Sequence, residues 1–154
     1  AYIDSLTKLE NRNRFIQFFA NDENQVEFGV LAITRCSELQ TINQVHGYTE
    51  GDKYICRVAE IIKSVTVTYR GANVYRLNSS DFATLIPNVT LKEAENAANE
   101  ISGKFNEYQQ SSDLDSVGYT GLVYFEKRLP DRALDNHSEH SAAAVLNHNR
   151  RLPL

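Results

Sequence analysis

The segment Val26–Thr34, VEFGVLAIT, constrains this chain more than any other. Apolar and β-branched side chains run through it with little interruption. A strand with one wet face alternates apolar and polar residues, whereas a near-continuous run belongs to a strand covered on both faces. The chain must therefore supply layers on either side of that strand. Helical periodicity supplies them. Arg12–Ala20 carries Phe15, Phe18 and Phe19 at i, i+3 and i+4. Ser37–His46 forms a short helix closed by Gly47. Glu50–Ser64, capped by Thr49, repeats apolar positions at Tyr54, Ile55, Val58, Ile61 and Ile62. Two further strands, Ala72–Leu77 and Phe82–Ile86, form a hairpin across Asn78-Ser79-Ser80, and Pro87-Asn88 ends it. Thr90 followed by Glu93 has the capping-box form and opens a helix over Leu91–Tyr108. A strand over Asp115–Phe125 and a helix over Leu134–Asn147 complete the order α-β-α-α-β-β-α-β-α. The fold class is α/β (α+β): a mixed, largely antiparallel central sheet of about five strands flanked by helices.

With 154 residues, 42% hydrophobic and 23% charged, the chain reads as a single domain over 1–154 with one substantial core. It contains no apolar run of about 18 residues that could span a bilayer, so no direct membrane contact is expected of this domain. It opens on Ala1 and has no Met, and is expected to be a piece of a longer protein. The net charge is −4, and Arg150-Arg151 is the one basic block that stands out. That balance argues against a nucleic-acid partner. Cys36 and Cys56 lie in apolar, patterned segments and read as reduced core thiols of a cytoplasmic domain. His137 and His140, at i, i+3 with His148 beyond, have a spacing that can hold zinc. No Cys or acidic ligand completes such a site, so a solvated helix face is the better reading, and no metal is expected.

Three segments, in order and in register with these elements, resemble the GGDEF family of nucleotidyl cyclases. Asp4-Ser5-Leu6-Thr7-Lys8-Leu9-Glu10-Asn11-Arg12 is similar to its opening D-x-L-T-G-L-x-N-R. Ile42-Asn43, Gly47 and Gly51-Asp52 match I-N-D-x-x-G-H-x-x-G-D. Tyr75–Ala83, YRLNSSDFA, lies where A-R-x-G-G-D-E-F-A belongs. The resemblance covers nearly the whole chain. It implies a GGDEF-like fold and a chemistry in which two GTP molecules are joined into cyclic di-GMP at sites facing each other in a dimer. Two divalent cations, held by carboxylates at the end of the first long strand and in the hairpin turn, neutralise charge in that reaction. The glycines of the turn let phosphates approach the backbone.

At these points the sequence departs from the family. By register, Arg35 stands at the strand-end metal position, where its charge would oppose a cation. Asn78 and Ser79 replace the two glycines and Ser80 the next acid; Asp81, for Glu, and Phe82 remain. Gln40 replaces a Lys, and Leu146 falls where a late phosphate-holding Lys belongs. The family's product-inhibition motif R-x-x-D falls on Tyr69-Arg70-Gly71-Ala72, with Arg70 one place out of register and no Asp, so no cyclic di-GMP is expected there. The base-reading end is better kept: Asn43 and Asp52 fall on the residues that contact guanine, whose N1–H and amino group an Asp can accept together. With Asn43, Asp52 and Arg35 as nucleotide-binding candidates, GTP could be held without turnover, Arg35 meeting phosphate as a fixed charge and Mg²⁺ not required.

Each residue has a plainer role beside this one. Asp4, Asn11 and Arg12 can tie the first helix, Asn43 and Asp52 can serve as helix-end residues, Arg35 can be ion-paired, and Asn78-Ser79-Ser80 can be a turn with no chemistry of its own. Within the family, these departures resemble degenerate GGDEF domains that precede an EAL domain in receptors of the LapD type and regulators of the CsrD/MshH type. The resemblance implies a catalytically inactive, signal-transmitting domain. Its implied partners are an EAL domain of the same chain, which binds or degrades cyclic di-GMP, and a second copy in a homodimer. The parent would be anchored in a bacterial inner membrane. An interaction or dimerisation module without nucleotide, and a weakly active cyclase with unusual metal ligands, are the alternatives.

Overall fold

A computed structural model describes residues 1–21, 23–127 and 151–152, the last two through backbone pairing. The elements are β1 (Glu10–Asn11), α1 (Arg12–Ala20), β2 (Phe28–Cys36), α2 (Leu39–His46), α3 (Tyr48–Thr66), β3 (Asn73–Arg76), β4 (Asp81–Pro87), α4 (Leu91–Gln110), β5 (Gly118–Glu126) and β6 (Arg151–Leu152). They form one sheet in the order β1-β3-β4-β2-β5-β6, antiparallel except where β1 runs parallel to β3. The mixed, largely antiparallel sheet expected from the sequence is present, with two-residue strands added at its edges. Those are too short to give a periodic signal. The helix expected over Leu134–Asn147, with His137, His140, Leu146 and His148, lies outside the described residues.

Strand β2 is central and covered on both faces. Val30, Ala32 and Cys36 join Phe82 and Ile86 of β4 and Leu122 of β5 in the larger core, against α3 and α4. The alternate residues Leu31 and Ile33 pack with Tyr75, Ala83 and Leu85 beneath Phe15 and Phe18 of α1. The period of two along each strand sorts the residues between the layers. Tyr54, Val58 and Ile62 of α3 and Ile101 and Phe105 of α4 are buried in the larger core. Each such aliphatic side chain contributes about 1.5–3 kcal/mol. The α1 layer is thinner: the helix has no fully buried residue, and its phenylalanines meet Tyr75 and Phe125 edge to face.

Two boundaries differ from the sequence reading for a physical reason. Strand β2 begins and ends two residues later than Val26–Thr34. Its neighbours extend the ladder through Arg35↔Asp81 on one side and Cys36↔Gly118 on the other. Thr49 is not a cap. Gly47, at φ 91°, closes α2 by donating its N–H to the Asn43 carbonyl at 3.1 Å. Its own carbonyl accepts from Gly51 N at 3.2 Å and starts α3. One residue serves both helix ends, so Thr49 falls inside the first turn. The Thr90 capping box is present as expected, with both reciprocal bonds made.

Lys8 sits in the left-handed region at φ 65°. The turn around it is tied at three points: Asp4 N to Leu9 O at 2.7 Å, Lys8 N to Asp4 O at 2.8 Å, and Thr7 to the Asp4 carboxylate. A side chain in that conformation costs roughly 1–2 kcal/mol, against about 0.5–1 kcal/mol of extra unfolded-state entropy for glycine. Lys8→Gly is therefore expected to stabilise the fold by about 0.5–1 kcal/mol, read as a rise in thermal midpoint; an unchanged or lower midpoint would contradict this account of the turn.

Candidate functional site

The antiparallel register of β2 and β4 sets Arg35 directly opposite Asp81 at one end of the sheet. Arg35 Nε donates to Asp81 Oδ1 at 2.8 Å and Nη2 to Oδ2 at 3.0 Å. This two-pronged geometry matches a guanidinium edge to a carboxylate. Asp81 is buried, while the Arg35 side chain is 64% exposed. Asn78 Nδ2 adds a third bond to Asp81 Oδ2 at 2.8 Å. Asn78 Oδ1 accepts from the backbone N–H groups of Ser80 and Asp81 at 3.0 and 2.9 Å, which folds the hairpin turn on itself. The turn is also fixed from both flanks. The Ser80 carbonyl accepts from Cys36 N at 2.7 Å. Arg76 Nε and Nη2 donate to the carbonyls of Asn78 and Ser79, while its Nη1 reaches the Asp4 carboxylate at 3.2 Å.

Both Asp81 oxygens are thus engaged by cationic or amide donors, and Ser79 and Ser80 bring neutral hydroxyls. A divalent cation of the magnesium type needs several carboxylate or phosphate oxygens. The donor set at this turn does not suit one. Among the described residues, no group of three or more His, Cys, Asp or Glu side chains could hold a metal ion.

The hydrogen bond from Arg35 holds the Asp81 carboxyl below its ordinary value against the opposing effect of burial, with Asn78 adding to the lowering. At Asp4, burial works against the charge, but bonds from Thr7 and Arg76 outweigh it and the net shift is again downward. Burial, the larger cause, and the Asp81 charge together push the Cys36 thiol up to about 12. Cys36 is buried and Cys56 partly exposed, both free, so the core reading holds for the first thiol more than the second.

Asn43 lies on α2 and Asp52 on α3. The Asn43 side chain rests on the backbone of Gly51, next to Asp52 in sequence. A Cβ at Gly51 would lie 1.8 Å from Asn43 Oδ1. That oxygen is buried without a hydrogen-bond partner. Asp52 is exposed. Neither acts as a side-chain helix cap: the N-cap of α3 is Gly47, and that of α2 is Glu38, which makes no side-chain cap bond. Asn11, in contrast, does cap α1, accepting from Arg14 N at 3.2 Å. Asp4 does not tie that helix; it binds Thr7 and Arg76. The Arg76–Asp4 link joins two of the segments that carry the resemblance, and nothing local in either segment signals it. Arg70 and Ala72 line a cleft of about 560 Å³ with Lys8 and Lys63, and the place of the expected acid in it is taken by Ala72.

Residues 1–146 match the family model described as diguanylate cyclase, GGDEF domain. Among curated proteins, the chain is 26% identical over 142 residues to the RNase E specificity factor CsrD of Escherichia coli, covering 88% of this chain and 22% of that protein. Among solved structures, the S helix-GGDEF-EAL chain of Vibrio cholerae LapD, bound to c-di-GMP, superposes with a TM-score of 0.68 at 21% identity, over 93% of this chain and 34% of that one. The GGDEF domain of Pseudomonas aeruginosa FimX superposes with a TM-score of 0.69 at 18% identity, over 96% and 95%. The chain therefore spans about a fifth of its curated relative and a third of the LapD chain. No helix among the described residues is long and apolar enough to cross a membrane.

The two lowered carboxylates fix the sign of the pH dependence. A group with a depressed folded value contributes its full stabilisation above the unfolded value, about 3.9 for Asp. That contribution is lost as pH falls through the folded value. The urea midpoint is expected to fall as pH drops below about 4, and Asp81→Asn is expected to make the fall shallower. An equal slope in that variant would remove Asp81 from the account.

Proposed function

Because this chain belongs to the GGDEF domain family, we propose that it is a regulatory domain of cyclic di-GMP signalling that holds guanine nucleotide without turning it over. The observation that carries this reading is the Arg35–Asp81 pair. It occupies the strand end and turn where the family resemblance calls for metal-binding carboxylates, and both Asp81 oxygens are committed to it. Without two cations to neutralise the phosphates and activate the attacking hydroxyl, the joining of two GTP molecules loses most of its transition-state stabilisation.

Arginine carries five N–H donors. The bonds to Asp81 use Nε and Nη2, so the Nη1 edge of a largely exposed guanidinium is left to meet a phosphate as a fixed charge. Asn43 and Asp52, which the family resemblance assigns to the base, read the guanine edge. Gly51 is the supporting residue, since its missing side chain is where Asn43 lies. By extension from the LapD chain, which joins a GGDEF unit to an S helix and an EAL domain, the nucleotide state is passed to an EAL domain of the same parent. A second copy serves as a further partner. The domain works on the cytoplasmic side of a membrane-anchored parent.

Isothermal titration with GTP, with Mg²⁺ and with chelator, followed by chromatography for cyclic di-GMP, tests this directly. Saturable binding is expected, with affinity changing less than about twofold on chelation because a guanidinium replaces the cation, and with no product. Turnover would overturn the reading of Arg35 and Ser80, and absence of binding would leave a nucleotide-free interaction module.

Gly51→Ala gives a second, independent check. The added methyl displaces the Asn43 amide, and GTP affinity is expected to drop about tenfold, the worth of a hydrogen bond or two. Thermal stability should change little, because the displaced group is the end of a side chain. Unchanged affinity would take Asn43 out of the site.

A further inference from the structure

A groove of about 340 Å³ opens between α2, α3 and the segment joining α4 to β5. Its floor is apolar: Ile42 is buried, Tyr108 and Leu114 are partly buried, and Val45 stands 67% exposed at the lip. Its rim carries Glu38, Glu50, Asp113 and Asp115. Glu50 shares its charge with Lys53 at 3.1 Å. Glu38, Asp113 and Asp115 make no ion pair among the described residues. His46 also lines the groove, and Arg57, at 5.8 Å from the Tyr108 ring centre, is paired with Glu60. Asn43 and Asp52 do not line this groove, so it is separate from the nucleotide site proposed above.

We propose that this groove docks a basic peptide segment carrying an apolar side chain, with Leu- or Phe-like groups on Ile42, Val45 and Leu114 and Lys or Arg groups at Glu38, Asp113 and Asp115. Two features select that occupant. The apolar floor stabilises a carbon-rich side chain that a bare cation lacks. The excess negative charge at the rim attracts a basic segment and repels acidic ones, which sets specificity and association rate. Among the described residues, Glu38, Asp113 and Asp115 have no cationic partner, whereas the ion pairs elsewhere on α3 are closed among themselves.

The test uses the whole chain and a fluorescein-labelled ten-residue peptide of alternating lysine and leucine, read by fluorescence anisotropy at several salt concentrations. Saturable binding in one-to-one stoichiometry is expected, weakening with salt. The double charge reversal Asp113→Lys with Asp115→Lys is expected to weaken it at least about tenfold. Val45→Ser, at the exposed lip, should weaken it severalfold without altering the charge. Circular dichroism and unchanged GTP titration in both variants show that the fold and the nucleotide site are intact. Unsaturable binding, affinity unchanged in either variant, or spermine competing as well as the leucine-bearing peptide would each overturn the proposal.

Discussion

Strand β2 pairs antiparallel with β4 on one side and β5 on the other, over nearly its whole length. Because side chains alternate with a period of two, a one-residue slip against either neighbour would exchange the residues facing α3 and α4 for those facing α1. The core forbids that slip. Val30 and Ala32 fit one layer, and Leu31 and Ile33 the other. The same register, fixed by apolar packing far from the sheet end, sets Arg35 opposite Asp81. The site geometry is thus a by-product of burial in the middle of the sheet, and its ion pair did not have to supply the energy that positions it. That matters because Arg35 is largely exposed, where a salt bridge contributes little to stability. Its consequence is chemical: it fills both oxygens of Asp81.

The turn beyond that pair is held in shape by its own side chains. Glycines would let phosphates approach the backbone, but Asn78 instead folds its own amide back onto Ser80, Asp81 and the Asp81 carboxylate. Arg76 then ties the carbonyls of Asn78 and Ser79 to Asp4, which is locked by Thr7. Charges alternate through this chain of contacts, Arg35 to Asp81 and Arg76 to Asp4. Each carboxylate of this turn thus faces a guanidinium of the same chain.

The layers were legible in the sequence because apolar periodicity is a direct record of burial. The VEFGVLAIT run marked the central strand, and the Tyr54–Ile62 repeat marked the helix that covers it. The strand's end was not legible, since Arg35 and Cys36 belong to the ladder through partners distant in sequence, and no local pattern records them. Thr49 misled for a related reason. Its side chain is suited to capping, but Gly47 at positive φ had already reversed the chain and closed both helices. At the site, residue identity by resemblance marked Arg35, Asn43, Asp52 and Asp81. It could not show that Arg35 and Asp81 pair, because one motif lies on β2 and the other at β4. Likewise, Asp4 and Arg76 were each noted, and their contact is a product of tertiary structure alone.

Helix α2 connects the two surfaces of interest. It has eight residues, and Ile42 is the one it fully buries, so its attachment to the body is slight and its stability depends on α3. Asn43, on one side, rests on Gly51; Ile42 and Val45, adjacent on the helix surface, line the acidic groove. An element with so little buried area lies at the low-stability end of a fold, where bound groups shift populations most readily. Nucleotide at Asn43 and a segment in the groove would both order the same short helix. Any energetic coupling between them has to be carried by the packing of α2 on α3, and linkage requires it to act with equal strength in both directions.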